Sequence, residues 1–201
     1  MEIVIATKNN GKVKELADIL ADLPIDFRSL NDFENVIEPE ETGVDFVENA
    51  VLKAREYALQ TGHWTVADDP GLEVEALNNA PGVFSARYAG ENATSEERIA
   101  KLLGELNKTG DENRRARFVC AMAVADEKGE IRYVAEGFCA GEIIDAPRGS
   151  NGFGYDPVFV PRGFSETFGE LSDDVKREIS HRAHASEKII AYLRGFIAVS
   201  T

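Results

Sequence analysis

The stretch at residues 64–71, WTVADDPG, constrains this chain more than any other. Trp64, Thr65 and Val66 favour an extended strand, and Ala67 leads into the adjacent carboxylates Asp68 and Asp69. Pro70 and Gly71 then predict a turn straight after the two acids. Acids at a strand end, held by a stiff turn, are poorly suited to filling a core. They suit a hard cation beside an anionic ligand, and they equally suit a solvated Asx-Pro-Gly turn. The segment by itself leaves both readings open.

The surrounding chain alternates strands with helices. Residues 3–6 read as a short buried strand, and Val13, Leu16, Ala17 and Leu20 mark one face of a helix. Between them lies Thr7-Lys8-Asn9-Asn10-Gly11-Lys12. A strand entering a helix through a short polar loop can offer backbone donors and a positive helix end to phosphate. The spacing is not that of a P-loop, and a plain polar strand–helix turn accounts for it as well. A possible strand at 26–30 and an acidic connection containing Glu38, Glu40 and Glu41 follow. Helices are predicted at 45–58, with Thr42 as the expected cap, and at 94–106, where Thr94 or Ser95 caps and Ile99, Leu102, Leu103 and Leu106 face inward. A hairpin of strands at 117–125 and 131–140 is joined by the DEKGE turn.

The C-terminal third is rich in turn chemistry: PRGSNGFGYDP at 147–157 fixes Phe153 and Tyr155 between glycines, with Asp156 beside them. Such a loop can expose backbone on one side and a flat stacking surface on the other; it can also be a rigid Ω-loop packed by its own aromatics. A short strand at 158–160 and an irregular piece lead into a helical tail, with Ser172 or Asp173 as cap. Lys176, Ser180, His181 and Arg182 concentrate hydrogen-bond donors there, either as a surface patch or as a phosphate-binding group.

Charge decides between partner classes. A formal net charge of −14 over 201 residues opposes a non-specific nucleic-acid surface and an anionic membrane surface, but not a small phosphate ligand met by local cations or a metal. No segment approaches membrane-spanning length, and the N-terminus lacks the pattern of a signal peptide. Cys120 and Cys139 sit in apolar runs and read as buried thiols, so the expected compartment is the cytoplasm.

Six motifs in this order, ATKNNGK at 6–12, ETGVDFVENAVLKA at 41–54, ADDPGLEV at 67–74, PGVFSARYAG at 81–90, PRGSNGFGYDPVF at 147–159 and ISHRAHA at 179–185, resemble the inosine triphosphatase family. These are pyrophosphatases of non-canonical purine nucleoside triphosphates, and the resemblance runs nearly end to end. It implies an α/β fold, an elongated mixed β-sheet flanked by helices, as one domain of two lobes with a central active-site cleft. It implies hydrolysis of ITP, dITP and XTP to the monophosphate and diphosphate, with Mg2+, in a homodimer. The resemblance assigns Thr7, Lys8, Asn9, Asn10, Gly11 and Lys12 to the phosphates, with Lys53 and position 70 nearby. It assigns Asp69 to metal positioning and water activation, Glu41 to the metal, and Asp68 to the metal as a further candidate. Phe153, Gly154, Tyr155 and Asp156, with Lys176, His181 and Arg182, would surround the nucleotide, Phe153 stacking near the base.

One departure stands out. The family usually has Ser where this chain has Pro70, which removes a hydroxyl and a backbone N–H. The expectation is an activity reduced or differently tuned but not abolished; the alternative is a nucleotide-binding or sensor protein with little or no turnover.

Overall fold

The structure is a computed structural model describing residues 2–21 and 23–200, without the side chains of Asn10, Lys14, Glu15, Asp18 and Ser200. Its elements are β1 (Glu2–Ile5), α1 (Asn10–Leu20), β2 (Asp26–Ser29), α2 (Phe46–Thr61), β3 (Trp64–Val74), β4 (Pro81–Gly82), α3 (Ser95–Thr109), β5 (Arg115–Ala125), β6 (Ile131–Ile143), β7 (Phe159–Pro161), α4 (Asp173–Ile179) and α5 (His181–Ser200). The strands form a seven-stranded sheet in the order β2-β1-β3-β5-β6-β7, with β4 paired to β3. The sheet is mixed: β1 runs parallel to β2 and β3, whereas β4 is antiparallel to β3 and β7 antiparallel to β6.

The chain divides into two compact units. The first comprises Met1–Asp69, Cys120–Gly137 and Arg182–Thr201. Its core joins Ile3 and Ile5 of β1, Leu16 and Leu20 of α1, Val66, Met122 and Val124 of the sheet, and Ile189 and Leu193 of α5. β1 reads as a buried strand because Ile3, Val4 and Ile5 all lie inside, as strands covered on both faces do. The second unit comprises Pro70–Val119 and Phe138–His181. There Ile99, Leu102 and Leu106 of α3 pack on Leu72, Val74, Phe118, Phe159 and Phe168. β5 switches from alternating to continuous burial along its length, with Arg115 and Arg117 exposed and every residue from Phe118 to Ala125 buried.

Four departures from the sequence reading bear on the site. β3 does not turn at Pro70-Gly71 but continues as a strand to Val74; the reversal comes later, in a short 3-10 turn followed by Asn78 and Asn79 at positive φ. Proline's fixed φ is compatible with extended backbone wherever its missing N–H is not needed by the ladder. Asp68 and Asp69 are therefore mid-strand and buried, not at a strand end. α2 starts after Asp45, which accepts from the Glu48 N–H, so Asp45 and not Thr42 is the cap. α1 begins at Asn10, drawing Gly11 and Lys12 into its first turn. The helical tail is broken at Ser180, whose extended backbone separates α4 from α5. The other cap readings hold: Thr94 forms a capping box with Glu97, and Ser172 caps α4.

Candidate active site

In the first unit, Lys53 is the hub. It lies on the inward face of α2 with Phe46, Ala50 and Tyr57, yet carries a charge, so burial there requires counter-charges. They are supplied by Asp69, whose Oδ1 is 2.6 Å from Lys53 Nζ, and by Glu41, whose Oε1 is 3.0 Å from it. Two carboxylates are thus drawn to one ammonium. Burial by itself would lower the lysine's pKa, but Asp69, Asp68 and Glu41 together raise it above its ordinary value, so it stays protonated. Asp69 behaves oppositely to a simple ion-pair partner: burial, with the adjacent Glu41 charge, lifts its carboxyl above the usual value despite Lys53. The two signs are consistent. Lys53 collects the field of three acids, whereas Asp69 shares one ammonium with its neighbours.

Asp68, on the opposite face of the same strand from Asp69, has a different partnership. Arg182 at the start of α5 donates Nε and Nη2 to Asp68 Oδ2, both at 3.1 Å, and Lys12 Nζ lies 3.4 Å from the carboxylate. Burial would raise this carboxyl, but Lys12, Arg182 and Lys53 overcome it and hold it well below the usual range. Arg182 and Asp68 are each almost completely buried, and this arginine is not part of a surface patch. Lys12 is lowered from its ordinary value by burial, with Asp68 opposing and Arg182 and Lys53 adding to the shift.

The 7–12 loop spends some of its donors and acceptors internally. Asn9 Oδ1 caps α1 by accepting from Gly11 N and Lys12 N at 2.9 and 3.3 Å, and Thr7 Oγ1 accepts from Asn9 N. Lys8 reaches the Val36 carbonyl at 3.4 Å. The side chain of Asn10 lies outside the described residues. The helix end with Lys12 beside it keeps the geometry of an anion site, but the cap occupies Asn9 Oδ1 and the N–H groups of Gly11 and Lys12, and does not use Asn9 Nδ2.

In the second unit the glycine-rich loop folds around Asp156. Its Oδ2 accepts from Phe153 N at 2.8 Å and from Lys176 Nζ at 2.7 Å, so this acid orients its neighbours. Gly152 is required by close approach: its φ is +72°, and a Cβ there would collide with the Asp156 carboxylate. Gly154 also adopts positive φ and sets Phe153 apart from Tyr155. Phe153 remains 37% exposed, with Lys176 Nζ 4.6 Å from its ring centroid. Tyr155 is buried instead, its hydroxyl donating to the Ser85 carbonyl at 3.0 Å. His181 is buried and stacks on Phe118 with centroids 4.8 Å apart. Lys176 and His181 belong to the second unit, and Arg182 begins the last segment of the first.

For a metal, no group of three or more His, Cys, Asp or Glu is arranged to hold one among the described residues. Mg2+ does not need such a cage; it is commonly held by one or two carboxylates together with substrate phosphates and water. Glu41 and Asp69, gathered on Lys53, fit that requirement. Asp68 stands on the opposite face of β3, where two N–H groups of the buried Arg182 hold it, so it is not gathered with the Glu41–Asp69 pair.

A model of the Ham1 family matches residues 3–192. The chain belongs to the Ham1 family. A dITP/XTP pyrophosphatase of Bacillus anthracis is 46% identical over 189 residues, covering 94% of each chain. One from Geobacillus kaustophilus is 50% identical over 188 residues, covering 94% of this chain and 92% of its own. The solved structure of a HAM1 protein from Coxiella burnetii matches with a TM-score of 0.90 at 46% identity, covering 97% of this chain and 99% of that one. The family read from the six motifs and the mixed α/β fold with its flanking helices are both borne out.

Against the Ham1 background, two groups escaped the reading of the sequence. Asn49 is wholly buried on α2 and touches Asp69, and Ser85 is buried beneath Tyr155 while its Oγ accepts from Leu72 N. A signal for Asn49 was available. It stands four residues before Lys53 on the face that Phe46, Ala50 and Tyr57 mark as buried, and polar residues in such a stripe call for partners. Among the described residues, no helix is long and apolar enough to cross a membrane.

Proposed function

We propose that this Ham1 protein hydrolyses ITP, dITP and XTP to the monophosphate and diphosphate, clearing non-canonical purine nucleotides, as one pyrophosphatase domain comprising both units. The observation that carries the reading is the pair of carboxylates, Asp69 and Glu41, gathered on the buried Lys53 ammonium. The curated relatives named for this reaction, similar over 94% of the chain, support the substrate class.

In this reading Glu41 and Asp69 hold Mg2+. The ion, when bound, neutralises phosphate oxygens and supplies a polarised water. Asp69 accepts the proton of the attacking water at a carboxylate oxygen. Lys53 and Lys12 offset charge that develops on the phosphates, helped by the N-terminus of α1. Arg182 acts through Asp68, holding β3 in place beside the reacting carboxylate. Phe153 offers its exposed ring to the base, and Asp156 and Lys176 fix that ring's backbone and underside. Pro70 directly follows Asp69 within β3 and offers no N–H. That favours a second reading, tight nucleotide binding without turnover.

Purified protein mixed with ITP, dITP, XTP, ATP or GTP, with and without magnesium, separates the two. Diphosphate from the first three, dependent on magnesium, is the expected result; binding without diphosphate release would establish the sensor reading. Two substitutions test the assignments. Glu41→Gln should raise the magnesium concentration for half-maximal rate roughly tenfold or more, as losses at metal sites do, and an unchanged magnesium dependence would remove Glu41 from the metal. Phe153→Ala should weaken ITP binding by about 1–3 kcal/mol, the worth of one stacked base, measured by calorimetry; unaltered affinity would contradict stacking.

The same reading assigns the protein to the cytoplasm, in keeping with two buried free thiols, Cys120 and Cys139. It also assigns a homodimer, on the family resemblance, and sedimentation at working concentration would test that.

A further inference from the structure

We infer that Asn49 is a positioning residue that sets the distance between Asp69 and the segment carrying Glu41. Asn49 is completely buried on α2. Its amide is divided between two tasks: Oδ1 accepts from the backbone N–H of Gly43 at 2.8 Å, and Nδ2 donates to Asp69 Oδ2 at 3.3 Å. The first bond ties down the backbone two residues beyond Glu41. The second orients the carboxylate whose other oxygen, Oδ1, is engaged by Lys53. One rigid side chain therefore spans from the Glu41 loop to Asp69, while Lys53, one helical turn further along α2, spans the same two acids by charge.

A buried asparagine placed merely to satisfy packing could bond to its own helix or to any neighbouring backbone. This one takes its two partners from the two segments that hold the carboxylate pair. The approach of the loop is close enough to demand glycine at 43: a Cβ there would lie 2.6 Å from Asn49 Oδ1 and 2.8 Å from Asn49 N. Two neighbouring bonds complete the docking, with Val44 N donating to Glu48 Oε2 at 3.0 Å and Glu48 N to Asp45 Oδ1 at 2.8 Å. Ammonium attraction tolerates a range of geometries, because a lysine head is a point charge on a flexible stem. Amide hydrogen bonds are directional. Asn49 therefore supplies the angular definition that Lys53 cannot.

This inference rests on the hydrolase reading, with Asp69 and Glu41 as the working acids. Its test uses Asn49→Leu, which keeps the branching at Cγ and removes both bonds, and Gly43→Ala, which displaces the loop while keeping Asn49. Three quantities are measured on each: kcat and KM for ITP, the magnesium concentration for half-maximal rate, and calorimetric ITP affinity in EDTA. For Asn49→Leu, kcat should fall about 10- to 100-fold and the half-maximal magnesium concentration should rise, as happens when partners of metal ligands are removed. Affinity for ITP in EDTA should stay within twofold. Gly43→Ala should raise the magnesium requirement with a smaller loss of kcat. Unchanged kcat and magnesium dependence in Asn49→Leu would overturn the inference. So would a loss of metal-free ITP affinity as large as the loss of kcat, since that is the mark of general disorder. If Asn49→Leu does not fold, Gly43→Ala alone decides: an unchanged magnesium requirement overturns the inference. Failure of the unmodified protein to release diphosphate would instead defeat the hydrolase reading, which keeps the two failures distinct.

Discussion

Asp69→Asn is expected to lower ITP turnover roughly 10²- to 10⁴-fold, the contribution of a positioned general base, with little loss of stability. The change is nearly isosteric, so packing around β3 is preserved. It removes a carboxylate that burial disfavours: the folded-state pKa of Asp69 is raised, so its ionised form opposes folding increasingly as pH rises through that value. At neutral pH the variant therefore escapes a cost that the unmodified chain bears. Lys53 loses one counter-charge but keeps Glu41 at 3.0 Å and the field of Asp68. Steady-state kinetics together with thermal melting check both halves. Near-normal turnover would remove Asp69 from its assigned role, and a collapse in melting temperature would show it to be a structural anchor.

Asp68→Ala should have the opposite profile, with its largest effect on stability. Asp68 is the counter-ion of Arg182, and both side chains are about 1% exposed. Removing one partner of such a buried pair costs about 3–5 kcal/mol, because the remaining charge is left without compensation. Replacing both partners by apolar groups, as in Asp68→Leu with Arg182→Met, should recover much of that loss; Lys12 retains some solvent access and can turn outward. The pH dependence has a definite sign. The folded-state pKa of Asp68 is depressed, so its contribution is fully present above the ordinary value of 3.8 and is lost as pH falls through the folded value. Denaturant midpoints of the unmodified protein and Asp68→Ala should differ by a constant amount from pH 5 to 8 and converge below about pH 4. A difference that persists undiminished at low pH would mean that packing, and not charge, is what Asp68 provides.

These two neighbours illustrate what the sequence could and could not reveal. Adjacent acids are visible in the letters, and so is their strand, but alternation sends them to opposite faces, and the partners on each face come from residues 114 and 16 positions away. The pairing of Asp68 with Arg182 was hidden for that reason: Arg182 looks like one of several donors near the C-terminus until the fold buries it. The helices were legible because Ile99, Leu102 and Leu106, or Phe46, Ala50 and Tyr57, recur at the helical period and do face inward. The turn expected at Pro70-Gly71 did not occur because local turn preference is weak against incorporation into a sheet, and Pro70 meets that demand with its extended backbone. In the glycine-rich loop, the exposure of Phe153 and the burial of Tyr155 could not be separated by residue type. Ser85, 70 positions before Tyr155, decides which ring turns inward.

The central claim is cleavage between the α- and β-phosphates of a non-canonical purine triphosphate by water attacking at the α-phosphorus. Hydrolysis of ITP in heavy-oxygen water with magnesium, followed by mass spectrometry of both products, tests it most directly. IMP carrying one heavy oxygen and diphosphate carrying none is the expected result. Heavy oxygen in the diphosphate, or release of orthophosphate with IDP, would contradict it.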